Sequence, residues 1–250
     1  MWDLKVGTGS ILFAALLLSG CGRLIPDAPK PAPYYPPSMS RPGQTSYASA
    51  TGVISQPIDE DTFRRLRGAT SSLGQCVAEL DAARVTFSPT PDRVNSETCG
   101  LTDAGVLGPD FGTVARMQPS DVTMTCALAA AVSVWRRQSV EPAAREFFGS
   151  DVVQIDHMGV YACRPVNSQA GNRPSAHSRA AALDFAGVRL RDGTRITVTN
   201  DWNDPGPKGR FLHRIRDDAC KVFGTTLSPD YNALHHDHLH LEAENSRFCR

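Results

Sequence analysis

Residues 235–242 are His-His-Asp-His-Leu-His-Leu-Glu, and this stretch holds four of the seven histidines of the chain. Polar and apolar residues alternate from His238 to Glu242. On a β-strand this alternation places His238, His240 and Glu242 on one face and the two leucines on the other. We therefore predict a strand with a buried back and two imidazoles on its front, which is a rigid support for metal ligands.

A second cluster lies about sixty residues earlier, where residues 175–184 are Ser-Ala-His-Ser-Arg-Ala-Ala-Ala-Leu-Asp. His177 and Asp184 bracket a run of small residues, which permits close packing of a short turn beneath a site. Together with His240 they supply two nitrogens and one carboxylate, a common composition of catalytic zinc sites that keep an open fourth position. The sequence thus predicts one Zn²⁺ per chain, held by His177, Asp184 and His240.

The two clusters resemble the signature S-x-H-(x)6-D followed by H-x-H, which is typical of zinc peptidases of the D-Ala-D-Ala carboxypeptidase and penicillin-insensitive murein endopeptidase type. Ser175, His177, Asp184, His238 and His240 match this signature position by position. The resemblance implies an α+β fold of the Hedgehog/DD-peptidase type, in which helices flank a small antiparallel sheet.

The region from about residue 76 to residue 250 also resembles the bacterial extensin-like C-terminal domain family. The matching stretches are residues 161–164, residues 175–184, Trp202 and residues 231–240. The family name refers to plant extensins, but the likeness to those structural glycoproteins is limited to a proline-rich segment and implies nothing about function.

The resemblance leaves two candidates for the general base. The carboxypeptidases use a Glu three positions before the last zinc histidine, where this chain has Asp237. The endopeptidases place a His two positions before it and another His three residues earlier, which here are His238 and His235. This spacing favours His238 as the base and His235 as its electrostatic or hydrogen-bonding support, although strict strand alternation would instead place His236 on the face of His238.

Three further residues are expected at the site by resemblance. In the carboxypeptidases an arginine in a place comparable to Arg164 faces the scissile carbonyl, and a fixed cation there would stabilise the oxyanion. Ser175 is expected to bind substrate. Trp202 is expected either to line the cleft or to pack in the core.

The remaining pattern predicts runs of helix and runs of strand without βαβ alternation, which also indicates an α+β domain. Predicted helices cover residues 73–85, 126–137, 141–148 and 208–223, and predicted strands cover residues 85–87, 152–155, 160–163, 182–185, 196–199 and 238–242.

The first twenty residues predict a lipoprotein signal peptide. The apolar run of residues 11–18 is too short to cross a bilayer, and residues 18–21, Leu-Ser-Gly-Cys, resemble the bacterial lipobox. Cys21 is therefore the expected lipidation site and membrane contact. Gly22 stands where an Asp often signals retention in the inner membrane, so we expect a periplasmic protein anchored in the outer membrane rather than the inner one.

Residues 21–60 predict a tether, because seven prolines lie between residues 26 and 43 and favour extended backbone. The folded domain is expected at residues 61–250. Apart from Cys21, six cysteines are present, and in an exported chain they predict up to three disulfides with fifteen alternative pairings. We favour Cys220 with Cys249, then Cys76 with Cys99 and Cys126 with Cys163.

Lys plus Arg and Asp plus Glu both number 26, and this balance argues against a nucleic-acid partner. The sequence therefore predicts a periplasmic zinc peptidase that cleaves peptide cross-links of peptidoglycan, as a D,D- or L,D-endopeptidase. The alternatives are a carboxypeptidase that trims stem peptides and a non-catalytic, zinc-stabilised lipoprotein that binds peptidoglycan. The sequence identifies no activator protein.

Overall fold

The computed structural model of the protein describes residues 51–250. The predicted signal peptide, the lipidation site at Cys21 and most of the predicted tether lie outside the described residues. The fold starts earlier than the predicted boundary at residue 61, because Val53 and Ile54 are buried in a short 3₁₀ helix, Val53–Ser55. Within the described part of the chain, no helix combines the length and apolar character needed to cross a membrane.

Six α-helices are present in the described chain. They are α1 (Thr62–Ala69), α2 (Leu73–Ala82), α3 (Cys126–Trp135), α4 (Glu141–Phe148), α5 (Val198–Asp201) and α6 (Pro207–Val222), and the π-helical turn Arg136–Val140 joins α3 to α4.

The strands form three sheets. They are β1 (Val85–Pro89), β2 (Arg93–Val94), β3 (Gly100–Leu101), β4 (Ala104–Asp110), β5 (Arg116–Gln118), β6 (Val122–Thr125), β7 (Val152–Gly159), β8 (Ala182–Leu190), β9 (Arg195–Thr197), β10 (Thr225–Leu227), β11 (Leu239–Glu242) and β12 (Phe248–Cys249).

The largest sheet has the strand order β12-β10-β11-β8-β7-β5, and β9 also pairs with β8. Its central pairs are antiparallel, whereas β12 and β5 add in parallel at the two edges. A three-stranded antiparallel sheet has the order β1-β4-β6, and β2 with β3 forms a hairpin. The predicted α+β class with antiparallel sheets is confirmed, although the main sheet has seven strands and is not small.

Helix α3 lies at the centre of the core and contacts α1, α2, α6 and the strands of the three-stranded sheet. Its alanine-rich sequence lets neighbours approach on all sides, and every residue except Ala127 is buried. Trp135 packs edge-on against Phe185 of β8 and donates its indole N–H to the carbonyl of Ile215 in α6 at 2.8 Å. These contacts tie the back of the main sheet to two helices, so the strands that carry the site rest on a packed support.

The predicted strand at residues 160–163 is wrong. Gly159 ends β7 with a φ of 138°, a conformation that glycine adopts without a steric penalty. After Gly159 the backbone bonds to His177 instead of to a neighbouring strand. The Val160 carbonyl accepts a hydrogen bond from the His177 ring, and the Ala162 N–H donates to the His177 carbonyl.

Three disulfides join the six cysteines of the described chain. Cys220 pairs with Cys249, as predicted. The other two predicted pairings are wrong, because Cys76 pairs with Cys126 and Cys99 pairs with Cys163. Helices α2 and α3 bring Cys76 and Cys126 together at a Cα–Cα distance of 6.1 Å, and the β2–β3 hairpin brings Cys99 next to the segment after β7, so tertiary packing overrides closeness in sequence.

Candidate metal centre

Asp184 and His240 lie directly opposite each other on the antiparallel strands β8 and β11. Their side chains share one face of the sheet, as the strand alternation requires. Leu239 and Leu241 are buried on the other face. The predicted strand with an apolar back is therefore present, although it begins at Leu239 rather than His238.

His177 reaches this face from the 3₁₀ helix Ala176–Arg179. The Ser175 hydroxyl caps the helix by accepting the His177 N–H at 3.3 Å. Ala176 and Ala180 are fully buried, so small side chains do allow this short turn to pack tightly, as the sequence indicates. His177 itself is only 2% exposed.

The three predicted ligand residues converge on one point. His177 Nε2 lies 3.2 Å from Asp184 Oδ1 and 3.2 Å from His240 Nδ1. His240 Nδ1 lies 2.8 Å from Asp184 Oδ1. Tetrahedral zinc bonded at about 2.0–2.1 Å holds its ligand atoms about 3.3 Å apart, so these donors stand close to the spacing that a zinc ion requires.

Both imidazoles have their second nitrogen occupied. His177 Nδ1 donates to the Val160 carbonyl at 2.7 Å, and His240 Nε2 donates to the Glu242 carboxylate at 2.9 Å. Because each of these nitrogens carries the N–H of its ring, the nitrogen that faces Asp184 has a lone pair when the ring is neutral. Partners of this kind orient metal-ligating histidines in proteins, and three facing lone-pair donors require a cation among them.

The pKa values of Asp184 and His240 also indicate that a positive charge is held between these side chains. Burial alone would raise the pKa of Asp184, but hydrogen bonds with His177 and His240 outweigh it and hold the pKa well below its usual range. Burial lowers the pKa of His240, yet its bonds to Asp184 and Glu242 prevail and raise the pKa to about 9. A proton therefore takes the position of the cation when no metal is bound.

His238 stands beside the three donors. Its Nε2 lies 3.5 Å from Asp184 Oδ1, and its Nδ1 lies 2.8 Å from Asp237 Oδ1. Asp237 therefore contacts the far side of the His238 ring, and this hydrogen bond lowers the pKa of the Asp237 carboxyl. The carboxylate orients the imidazole so that Nε2 faces the donor cluster.

His235 is buried next to His238 and His240. Its Nδ1 donates to Asn232 Oδ1 at 2.8 Å, and its ring centre lies 5.2 Å from that of His238 and 5.9 Å from that of His240. Burial, reinforced by the two neighbouring imidazoles, lowers the pKa of His235 to about 4. His235 is thus a neutral ring at physiological pH.

His236 lies outside the site. Its side chain is 69% exposed, and its Nδ1 bonds the carbonyl of Ala233. Strand alternation does not extend to His236, because residues 233–235 form a 3₁₀ helix and the strand starts only at Leu239.

The cluster forms part of the lining of a cavity of about 480 Å³. The cavity is lined by Arg164, Val166, Asn167, Ser168, Arg173, Ser175, His177, Thr225, Leu227, Tyr231, Leu234, His235, His238, His240, Glu242, Ser246 and Phe248. Most of these side chains are polar, and a concave site with convergent polar groups beside the donor cluster has the character of a small-molecule or peptide site.

A family model described as the C-terminus of extensin-like proteins matches residues 74–250 of the chain. The chain belongs to this family. No curated protein and no solved structure matches it. The extensin-like region includes every residue of the donor cluster and every side chain that lines the cavity.

Within this extensin-like domain, Arg164 and Ser175 do line the cavity, whereas Trp202 does not. Of the two roles expected for Trp202, lining the cleft is wrong and packing in the core is what the structure shows, because its side chain is buried and its ring lies 4.2 Å, centre to centre, from that of His213 in α6. Its N–H donates to Asp230 at 2.9 Å, which ties down the loop that leads to His235.

Sequence reasoning missed four residues of the extensin-like site. Glu242 was placed on the correct face but not recognised as the hydrogen-bond partner of His240. Asn232 could have been found from its spacing, because an Asn three residues before His235 is typical of a helix cap. Val160 acts through its backbone carbonyl and leaves no signal in the sequence, and Arg173 lines the cavity only because the chain folds back between Arg164 and Ser175.

Proposed function

We propose that the chain is a zinc-dependent peptidoglycan hydrolase that cleaves peptide cross-links, acting as a D,D- or L,D-endopeptidase. The observation that carries the proposal is the convergence of His177, Asp184 and His240 at zinc-ligand spacing. The proposal includes a Hedgehog/DD-peptidase type of fold and one zinc ion per chain.

The donor set fits zinc. It combines two imidazoles and one carboxylate, and both imidazoles carry the outer hydrogen bonds that set the tautomer needed for metal binding. With three protein ligands, a bound zinc ion would keep a fourth position for water or substrate, as in catalytic rather than structural zinc sites. Bound zinc would supply a water molecule acidified toward a pKa of about 7 and an electrophile for a carbonyl oxygen.

His238 would act as the general base. Its Nε2 faces the donor cluster and its Nδ1 is held by Asp237, so the ring can accept a proton from the attacking water and return it to the leaving nitrogen. The Asp237 carboxylate stabilises the imidazolium that forms. Asp237 thus supports His238 as the base instead of acting as the base itself. This arrangement favours an endopeptidase over a carboxypeptidase.

Two cavity side chains would complete the reaction. The Arg164 guanidinium would stabilise the negative charge that develops on the carbonyl oxygen. His235, neutral and anchored by Asn232, would stay uncharged and support the charge that accumulates on His238 during proton transfer.

The N-terminal segment supports the choice of substrate. A lipid on Cys21 and a proline-rich tether would hold the domain in the periplasm, with outer-membrane anchoring preferred, where peptide cross-links of the wall are within reach.

Digestion of purified sacculi tests the proposal. The zinc-loaded protein should remove cross-linked muropeptide dimers, as resolved by mass, whereas His240→Ala should not. His236→Ala is the matched control, because it removes an exposed imidazole from the same segment and should keep full activity. Loss of terminal residues alone would indicate a carboxypeptidase, and unchanged sacculi with one zinc bound per chain would indicate a binding module.

A further inference from the structure

Two arginines reach the metal-centre cavity from one turn of the chain. Between Arg164 and Ser175 the backbone folds back on itself, because Ser175 N–H donates to the Arg164 carbonyl at 3.1 Å and Val166 N–H donates to the Arg173 carbonyl at 2.9 Å. An antiparallel bridge pairs residues 165 and 174 between these two bonds.

This register decides which side chains share a face. Residues 164 and 175 lie opposite each other, as do residues 166 and 173, and all four therefore project to the same side. The same four, Arg164, Val166, Arg173 and Ser175, line the cavity. Arg164 and Arg173 are accordingly diagonal neighbours on one surface.

Neither guanidinium forms an ion pair with a carboxylate of the described residues. Among the described residues, other surface arginines form ion pairs, such as Arg179 with Glu244 and Arg191 with Asp151, whereas Arg164 and Arg173 form no ion pair and donate no side-chain hydrogen bond. The Arg173 guanidinium is close enough to interact electrostatically with the Glu242 carboxylate, but the two form no ion pair, and the hydrogen bond of Glu242 goes to His240. Two like charges on one face of paired strands repel each other, and an anionic ligand between them would remove that repulsion.

The turn is held in place before any ligand binds. Cys163, next to Arg164, is joined to Cys99 by a disulfide, and Tyr161 accepts a hydrogen bond from Asn95 at 2.5 Å. Anchoring of this kind reduces the entropy lost when a ligand orders the arginines.

We propose that Arg173 is a specificity-determining residue that binds a free carboxylate of the substrate, next to the scissile amide. Diagonal neighbours on paired strands are about 7–8 Å apart, and two extended residues span about 7 Å. With Arg164 at the reacting carbonyl, the carboxylate therefore belongs within two residues of the bond that is cut. This inference rests on the proposed function, and it defines the substrate class as an acidic peptide.

The test compares two forms of one probe, a muropeptide dimer cross-linked from D-Ala to meso-diaminopimelate. In one form the diaminopimelate carboxyl beside the cross-link is free, and in the other it is amidated. The zinc-loaded wild-type protein should favour the free acid about tenfold in kcat/KM, because charge-assisted hydrogen bonds of this kind distinguish ligands by at least that factor. The difference between the free acid and the amide should appear mainly in KM, with little difference in kcat.

Arg173→Gln should reduce this preference to less than about threefold, and Arg173→Lys should give an intermediate value, because a lysine lacks the planar fork. Arg189→Gln is the matched control, since it removes an exposed cation from the far end of β8 and should keep the wild-type preference. A preference that survives Arg173→Gln would overturn the inference.

Binding separates this inference from the proposed function. Calorimetry with zinc-loaded His238→Ala should show the free acid binding about tenfold more tightly than the amide, and the double variant with Arg173→Gln should lose this difference. If the wild-type protein cuts neither dimer but the binding difference is present, the peptidase proposal fails and the carboxylate site stands. Equal binding of both forms overturns the carboxylate site whatever the turnover.

Discussion

His240 and Glu242 lie on the same face of one strand, and the Glu242 carboxylate accepts a hydrogen bond from His240 Nε2 at 2.9 Å. Both side chains are buried, with exposures of 8% and 7%. Glu242 therefore determines which nitrogen of His240 keeps a lone pair, and it places that lone pair beside Asp184.

Glu242→Gln should weaken zinc binding about 10- to 100-fold, the usual cost of losing an outer partner of a metal-ligating histidine. The amide no longer provides a charged acceptor, so the ring loses both its basicity and its fixed orientation. Competition with a chromogenic chelator measures the affinity. Glu244→Gln, two residues further on and partly exposed beside Arg179, should leave the affinity unchanged, and equal losses in both variants would contradict this role.

His177→Ala should reduce the zinc content from one ion per chain to nearly none. Removing one of three protein ligands leaves two, too few for a stable site. Metal analysis after dialysis gives the stoichiometry, and circular dichroism checks that the variant folds. His236→Ala should retain one zinc ion, whereas full zinc content in His177→Ala would remove His177 from the ligand set.

Zinc binding at pH 7 should release about one proton. Without metal, the pKa of His240 is raised to about 9 by its bonds to Asp184 and Glu242, which outweigh burial. The ring is therefore protonated below pH 9, and zinc has to displace that proton. The apparent affinity should fall as the pH decreases below 9, by about tenfold per unit. Calorimetry in buffers of different ionisation enthalpy counts the protons, and a count of zero would contradict the assignment.

Glu141→Gln should remove part of the pH dependence of folding stability. Burial raises the pKa of Glu141 to about 7, against the opposing effect of Arg136 and Arg145. A carboxyl with a raised pKa stabilises the fold fully below its unfolded value near 4.5, and this contribution is lost as the pH rises through 7. The wild-type Tm should therefore fall relative to the variant between pH 4.5 and pH 7.

The expected difference in the free energy of unfolding is on the order of 1 kcal/mol after allowance for solvent screening. Calorimetric scans at matched pH values measure it. Glu146→Gln, an exposed carboxylate on the same helix, serves as the control and should follow the wild type. Parallel Tm profiles for the wild type and Glu141→Gln would contradict the raised pKa.

Non-reducing peptide mapping should recover three linked pairs in the folded domain, Cys76 with Cys126, Cys99 with Cys163 and Cys220 with Cys249. Replacing both Cys99 and Cys163 by Ser should lower the stability by about 2–4 kcal/mol, the usual range for a disulfide of this loop length. Because this disulfide anchors the turn that carries Arg164, the double variant should also lose more activity than the pair Cys76→Ser and Cys126→Ser. A map that links Cys76 to Cys99 would contradict the packing of α2 on α3.

Local patterns predicted much of this molecule because they depend on neighbours in the sequence. The alternation after His238 placed His240 and Glu242 on one face, and the small residues around His177 indicated a tight turn. Helix α4 was predicted with the bounds that the structure shows. The strand expected at residues 160–163 failed because a carbonyl in that segment bonds His177 instead of a neighbouring strand.

Long-range packing accounts for what the patterns did not show. Residues close in sequence, such as Cys76 and Cys99, were expected to pair, but the approach of α2 to α3 and of the β2–β3 hairpin to the end of β7 directed the bonds elsewhere. The sequence left open whether Trp202 lines the cleft or packs in the core, and the fold places it beside His213 of α6, away from the cavity.

The amino-acid pattern alone was enough for the α+β class, which follows from the periodicity, and for the residues of the donor cluster, which follow from the motif spacing. The extensin-like family was indicated by the resemblance of short stretches of sequence. The fold was needed for the partners of each imidazole, the pairing of four cysteines and the approach of Arg173 to Arg164. Each of those contacts joins groups separated along the chain or positioned by a reversal of the backbone, and their distances depend on how the whole core packs.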